Sequence, residues 1–79
     1  LPEEGAWIRP CRQVHTFGMT VSLDILHLDR NLRILHIETL KPWRVGRHLW
    51  RSASVVELRF GEAKRLGLEV GMTVNLLED

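Results

Sequence analysis

The chain has 79 residues, with 11 Lys+Arg against 10 Asp+Glu and a formal net charge of +1. At 44% hydrophobic and 27% charged it has the composition of a globular domain rather than a disordered segment. Its near-neutral balance argues against a general affinity for nucleic acid or acidic lipid. One cysteine, Cys11, excludes an internal disulfide and any multi-cysteine zinc site. No apolar run approaches the ~20 residues of a membrane-spanning helix, so no membrane role is expected. The length suits one small domain, residues 1–79, burying only roughly 60–65% of its unfolded surface. With no signal peptide in view the compartment leans to the cytoplasm. The opening Leu1-Pro2-Glu3-Glu4-Gly5 is loop-like and lacks an initiator Met, so residues are expected upstream.

In chain order, Ala6 to Arg9 predicts a short strand that Pro10 ends or confines to an edge. Val14 to Met19 mixes strand formers with Gly18, the mark of a bend or bulge. Val21 to Leu28 and Leu32 to Thr39 are strong strands joined by turn chemistry at Asp29-Arg30-Asn31. Leu40 to Ser52, with Pro42, Gly46 and two tryptophans, reads as a loop. Ala53 to Phe60 is a third strong strand, and Gly61 to Leu66 a short helix closed by Gly67. Glu69 to Met72 turns the chain into a closing strand from Thr73 to Leu77. The predicted fold is mainly β, a small barrel-like sandwich of antiparallel strands with one short helix near the C-terminus.

Register follows from hydrophobic pattern, because a slip of one residue moves every side chain to the other face. A two-residue loop at Arg30-Asn31 mixes polar and apolar residues on both faces. A three-residue loop, Arg30 to Leu32, gathers Val21, Leu23, Ile25, Leu35 and Ile37 on one face and is preferred. It places Leu32 in a left-handed conformation that normally takes Gly. It also sets Asp24 opposite Glu38, with His36 diagonal to it.

Several runs together are similar to a known family. They are Pro10-Cys11-Arg12, then His15-Thr16-Phe17 with Met19, then Leu23-Asp24 and Leu28-Asp29. Pro42 to Gly46 follows, then Val56-Glu57-Leu58, Gly61, Ala63, Arg65 to Leu68 and Gly71. In this order they resemble the uncharacterised prokaryotic family catalogued as domain of unknown function 192, from about Leu1 to Leu77. The resemblance implies a compact, mainly β, barrel-like sandwich and no established biochemical activity. It also implies a further N-terminal segment in family members that this chain lacks. One edge strand is then missing or supplied by a second molecule, which leaves a homodimer through an open sheet edge as an expectation. The family turn carries Gly where Leu32 stands.

Chemistry-bearing residues fall into three groups. Cys11, His15 and Met19 recur at spacings of four; soft sulfur with imidazole suits copper or zinc. As a strand the set spreads over ~26 Å, so a packed cysteine, a hydrogen-bonded histidine and a core methionine are expected, with no metal and no other cofactor. Asp24 interrupts an apolar strand. It is either part of a polar pocket or a buried acceptor for a nearby turn. Lys41, Arg44, Arg47 and Arg51 interleave with Trp43, His48 and Trp50. Arginine among stacking rings suits single strands of nucleic acid or an anionic small ligand. The bland alternative has the tryptophans closing the fold and the arginines in water, and nucleic acid is not the expected partner. Glu57, inside a strand, is expected to pair with an arginine. No nucleophile elbow, phosphate loop or HExxH occurs.

The functional expectation is a non-enzymatic module that binds a small molecule or serves as an accessory. Its candidate pocket comprises His15, Thr16, Met19, Asp24 and Arg44. The alternatives are a small acid/base enzyme using Asp24 with a histidine, and nucleic-acid binding through the Lys41–Arg51 loop.

Overall fold

The computed structural model describes residues 5–76; the opening Leu1–Glu4 and the Leu77 end of the closing strand lie outside them. The fold is mainly β. Four strands, β1 (Gly5–Ile8), β2 (Leu23–Leu28), β3 (Ile34–Leu40) and β4 (Ser54–Arg59), precede one short helix, α1 (Glu62–Arg65). They form a single antiparallel sheet in the order β1-β4-β2-β3. The sheet stays open, with β1 and β3 as its edges among the described residues, so the barrel-like closure expected from sequence is replaced by a covered open sheet.

All six residues of β2 are buried. An antiparallel strand usually wets one face; here both faces are covered. On one, the helix face, α1 and the segment after it pack over Leu26, Leu28, Ile34, Val56 and Leu58, joined by Trp7, Leu68, Val74 and Leu76. On the other, the loop face, the irregular stretches 10–21 and 41–53 cover Leu23, Ile25, Leu40 and Val55, with Val14, Cys11 and Met19 packed in.

The β2–β3 turn has the expected three-residue loop. Leu28 pairs with Ile34, the Asp29 amide donates to the Arg33 carbonyl at 3.0 Å, and Leu32 has φ 65°. Asp29 holds the turn: its Oδ1 accepts from the amides of Asn31 at 2.8 Å and Arg33 at 3.0 Å. The Arg33 amide above all keeps that carboxyl below its ordinary value. Leu32 accepts a left-handed backbone, costing about 1 kcal/mol, while its side chain packs against the helix-face core.

Beyond the turn the register differs from the expected one. His27 pairs with His36, not Leu35, so Leu35 is the extra residue of a β-bulge. Every β2 residue further along meets a partner one position later. Asp24 lies opposite Thr39, not Glu38, and Leu23 and Ile25 share their face with Leu40, Glu38 and His36. Leu35 and Ile37 do not join them.

Two other segments are looser than expected. Among the described residues, Val14 to Met19 forms only the His15↔Val45 bridge, and the closing stretch only the Arg33↔Thr73 bridge. The helix ends as expected. Gly67, at φ 70°, donates to the Lys64 carbonyl at 3.0 Å, and Leu68 donates to Ala63 at 2.9 Å, a Schellman motif.

Asp24 joins the helix to the sheet. It is 4% exposed; Oδ1 accepts from Thr39 Oγ1 at 3.0 Å, and Oδ2 accepts from the amides of Gly61 and Ala63, each at 3.0 Å. Four residues make too short a helix to satisfy its own first amides, and a carboxylate from the neighbouring strand does so. Asp24→Ala should cost about 2–4 kcal/mol by stranding these donors. Asp24→Asn should cost less, since one amide oxygen replaces two carboxylate oxygens. Urea denaturation measures both; an unchanged midpoint for Asp24→Ala would refute this bracing role.

Candidate functional site

The loop face is built by two irregular stretches zipped to each other. The Leu49 amide donates to Arg12 O at 3.0 Å, Gly46 to Val14 O at 2.8 Å, and Thr16 to Arg44 O at 2.9 Å. Gly46 allows the approach: a Cβ there would come within 2.9 Å of Leu40 Cδ1 and 3.2 Å of both Val14 O and Glu38 Oε2. Thr16, 1% exposed, is the central stitch. Its Oγ1 donates to Lys41 O at 2.6 Å and accepts from the Arg44 amide at 2.9 Å, while its carbonyl accepts from the Trp43 amide at 2.9 Å.

Around this stitch stand exposed rings. His15 packs on Phe17 with centroids 4.6 Å apart, and Phe17 stacks with Trp43 at 6.1 Å. Phe17 is 52% and Trp43 63% exposed. Trp43 holds φ 61°, a conformation that bulky residues avoid unless surroundings impose it. Arg44 and Lys41 flank it, both exposed. Further along the loop, His48 meets Trp50 edge-on at 4.7 Å, and the Arg12 guanidinium lies 5.9 Å from the Trp50 ring centre.

Beneath the loops, His27 is fully buried. Its Nδ1 is 3.1 Å from Ser52 Oγ and its Nε2 3.4 Å from Glu38 Oε2; the same carboxylate oxygen accepts from the Arg47 amide at 3.0 Å. Serine, histidine and glutamate in sequence have the composition of a hydrolytic triad, but the surroundings of Ser52 oppose that chemistry. Its Oγ also lies 2.9 Å from the Cys11 carbonyl oxygen and 3.1 Å from that of Ser54. An alkoxide there would face two carbonyl oxygens, the reverse of an oxyanion hole. The chain of bonds ties the loops to β2 and β3.

Of the sequence-predicted residues, His15, Thr16 and Arg44 come together, and Met19 joins them from the packed side, its amide donating to Thr16 O at 3.2 Å. Asp24 does not: it lies on the helix face, its oxygens taken by Thr39, Gly61 and Ala63. An Asp24–histidine pair on β2 is blocked by alternation, since His27 points to the opposite side. Cys11 donates from Sγ to Gln13 O at 3.3 Å. Among the described residues no three His, Cys, Asp or Glu side chains gather in a way that could hold a metal.

The residue that sequence reasoning underweighted is Glu57. It sits on β4 between Ala6 and Ile25, on the loop face. The expected arginine partner is absent: among the described residues no group hydrogen-bonds its carboxylate. Burial pushes its carboxyl above the ordinary value, against a smaller opposing pull from His15. On the helix face an apolar groove of ≈ 270 Å³ is lined by Leu26, Val56, Leu58, Leu66, Met72 and Val74, among others. No helix of the described residues is long and apolar enough to cross a membrane.

Comparison with known proteins places this geometry in a family. The profile described as "DUF192: Uncharacterized ACR, COG1430" matches residues 2–76. The chain belongs to this family. It is similar to UPF0127 protein PH1112 of Pyrococcus horikoshii, 39% identical over 44 residues, which cover 56% of this chain and 38% of the relative. It is also similar to UPF0127 protein PYRAB11210 of Pyrococcus abyssi, 34% identical over 58 residues, covering 73% of this chain and 50% of the relative. The chain thus spans half or less of the length of these curated relatives. No solved structure matches it.

His27 supplies a pH test. Burial is the largest influence on its imidazole and lowers its pKa; the Glu38 hydrogen bond pulls the other way and is outweighed. The unfolded histidine, near 6.5, therefore binds protons more readily than the folded one. Stability from this residue is complete above that value and falls as pH drops below it. Melting temperature should decline from pH 7 towards pH 5, and the His27 ring followed by NMR should titrate below 6.5. A midpoint above that would mean that Glu38 wins.

Proposed function

We propose that the chain is a binding module without catalytic machinery of its own, which holds a small, flat, anionic ligand on the loop face. The ligand lies against the His15–Phe17–Trp43 rings, with Arg44 and Lys41 alongside. The observation that carries this reading is the serial stack of exposed rings on a backbone pinned from below by Thr16. Exposed aromatic rings and a left-handed Trp43 cost stability, and nothing in the packing of the core requires them. Stacking is tolerant of ring chemistry, and guanidinium favours carboxylate or phosphate.

The test is a titration of isotope-labelled protein with AMP and GMP up to about 10 mM, enough to detect a Kd near 1 mM. Ring resonances of His15, Phe17 and Trp43 and the Trp43–Arg44 amides should shift together, and Arg44→Ala should weaken binding by roughly three- to tenfold. No shift with either nucleotide sinks the proposal. If only an oligonucleotide binds, with affinity falling steeply with salt, the second ring group at Trp50 and Arg12 points to single-stranded nucleic acid instead.

A further inference from the structure

The charges of this chain are unevenly placed. The stretches 10–21 and 41–53, which cover the loop face, carry Arg12, Lys41, Arg44, Arg47 and Arg51 and no Asp or Glu. The rest of the chain holds the other six of the 11 Lys+Arg and all 10 Asp+Glu. The total of +1 therefore divides into a formal +5 on the covering loops and −4 elsewhere. Arg51 lies near enough to the Asp29 carboxylate to act on it. Arg12, Lys41, Arg44 and Arg47 are exposed and form no ion pair among the described residues. Of the acids on the sheet beneath, Glu38 is taken by His27 and the Arg47 amide, and Glu57 is half-buried.

The backbone sets these cations among rings. Hydrogen bonds between Thr16 and Arg44, Val14 and Gly46, and Arg12 and Leu49 join the two stretches into an irregular antiparallel ribbon, with His15 opposite Val45. Alternation turns Val14 and Thr16 inward and His15 and Phe17 outward. The His15–Phe17–Trp43 stack stands at one end of the ribbon, next in the chain to Lys41 and Arg44. At the other end Trp50, 78% exposed, is the most open large apolar side chain of the described residues. His48 meets its edge, and the Arg12 guanidinium lies 5.9 Å from its ring centre. From Thr16 to Arg12 the ribbon runs roughly 13 Å. A ligand that engages both ring groups is therefore a chain rather than a single nucleotide.

Deepening the binding reading above, and resting on its ring stack, we infer that the loop face is a track for single-stranded nucleic acid. One base stacks at Phe17–Trp43 and another, further along the strand, at Trp50; Arg12, Lys41, Arg44 and Arg47 take the phosphates. The small flat ligand is then one unit of a strand. A cationic track with interspersed stacking rings is what a single strand requires, and three of these four cations are arginines, whose guanidinium grips phosphate through two parallel N–H donors. A duplex keeps its base faces away from such rings. A bilayer would accept exposed rings and cations as well, but it makes no use of rings stacked on one another or of a guanidinium set over a ring. The near-neutral total does not oppose this, because attraction between exposed charges is local, screened beyond about 10 Å at 0.1 M salt.

The experiment measures binding of the 79-residue chain to fluorescein-labelled oligothymidylate and oligouridylate, each about 12 nucleotides long, by fluorescence anisotropy, beside the NMR titration with AMP. The strands should bind tighter than AMP by roughly tenfold or more, and the tighter of the two names DNA or RNA as the source. Log affinity should fall against log salt with a slope of about −2 to −3, the value for three or four neutralised phosphates. Trp50→Ala and Arg12→Ala should each weaken strand binding by roughly fivefold while leaving the AMP shifts at His15, Phe17 and Trp43 unchanged. Both side chains are exposed, so the melting temperature should not move; should a variant not fold, the strand-to-AMP ratio and the salt slope on the unaltered chain still decide. A strand no tighter than AMP, a strand affinity unmoved by both variants, or equal binding of a duplex of the same length overturns the inference and leaves the small-ligand reading standing. Binding to phosphatidylglycerol vesicles without strand binding overturns it in favour of a bilayer. Strand binding without any AMP or GMP shift supports the track and ends the small-ligand reading, and binding of neither ends both.

Discussion

One extra residue in β3 governs the arrangement of this fold. Leu35 bulges between the Leu28↔Ile34 and His27↔His36 pairs, and side chains alternate strictly along a strand. The bulge therefore decides which residues share a face for the whole remaining length of the β2–β3 pair. With it, Asp24 meets Thr39 and looks towards α1, while Glu38 faces His27 on the other side. Without it, Asp24 and Glu38 would be opposed as two carboxylates, an arrangement that repels and would force one to stay protonated. The bulge converts a conflict into two separate, satisfied networks.

Those networks divide the molecule. On the helix face, Asp24 replaces the cap that a four-residue helix lacks and so fixes how the C-terminal segment sits on the sheet. On the loop face, Ser52, His27 and Glu38 form a buried strut, and Thr16 fastens one loop to the other above it. Polar groups that are fully bonded in a dry interior specify geometry more sharply than apolar contacts. This is how stretches with almost no regular secondary structure can hold a ring stack in one arrangement.

Most of the architecture was legible because it rests on local signals. Asp29 and Asn31 mark a turn, Gly67 closes a helix, and three apolar runs of strand length precede that helix. Even the strained Leu32 follows from hydrophobic pattern. The bulge was not legible: pattern alone prefers Leu35 and Ile37 beside Leu23 and Ile25, and only the three-dimensional covering of both sheet faces makes either side apolar enough. The closing strand reduced to one bridge for a related reason, since Gly71 and Met72 already spend their hydrogen bonds on Ile34. Among the candidate residues, His15, Thr16 and Arg44 do lie together on the loop face. Asp24 was placed in the same candidate pocket and does not belong there; its partners lie 15 to 39 residues away, beyond the reach of sequence spacing.

Glu57 shows why the surroundings of an acid escape such reading. In sequence it is an acid amid valines and leucine, and the ordinary expectation is an arginine across the sheet. What distinguishes it is the lack of that partner, which appears only once every neighbour has been placed. Asp24 and Glu57 make the contrast plain, since both interrupt apolar strands and both sit at central positions of the same sheet. Asp24 receives three donors from its own chain and holds the fold together. Glu57 receives none from the described residues and stays half-buried on the loop face, where burial raises its carboxyl above the ordinary value. The difference lies in the face: Asp24 looks towards the amides that open α1, whereas Glu57 looks towards loops whose backbone donors pair with one another.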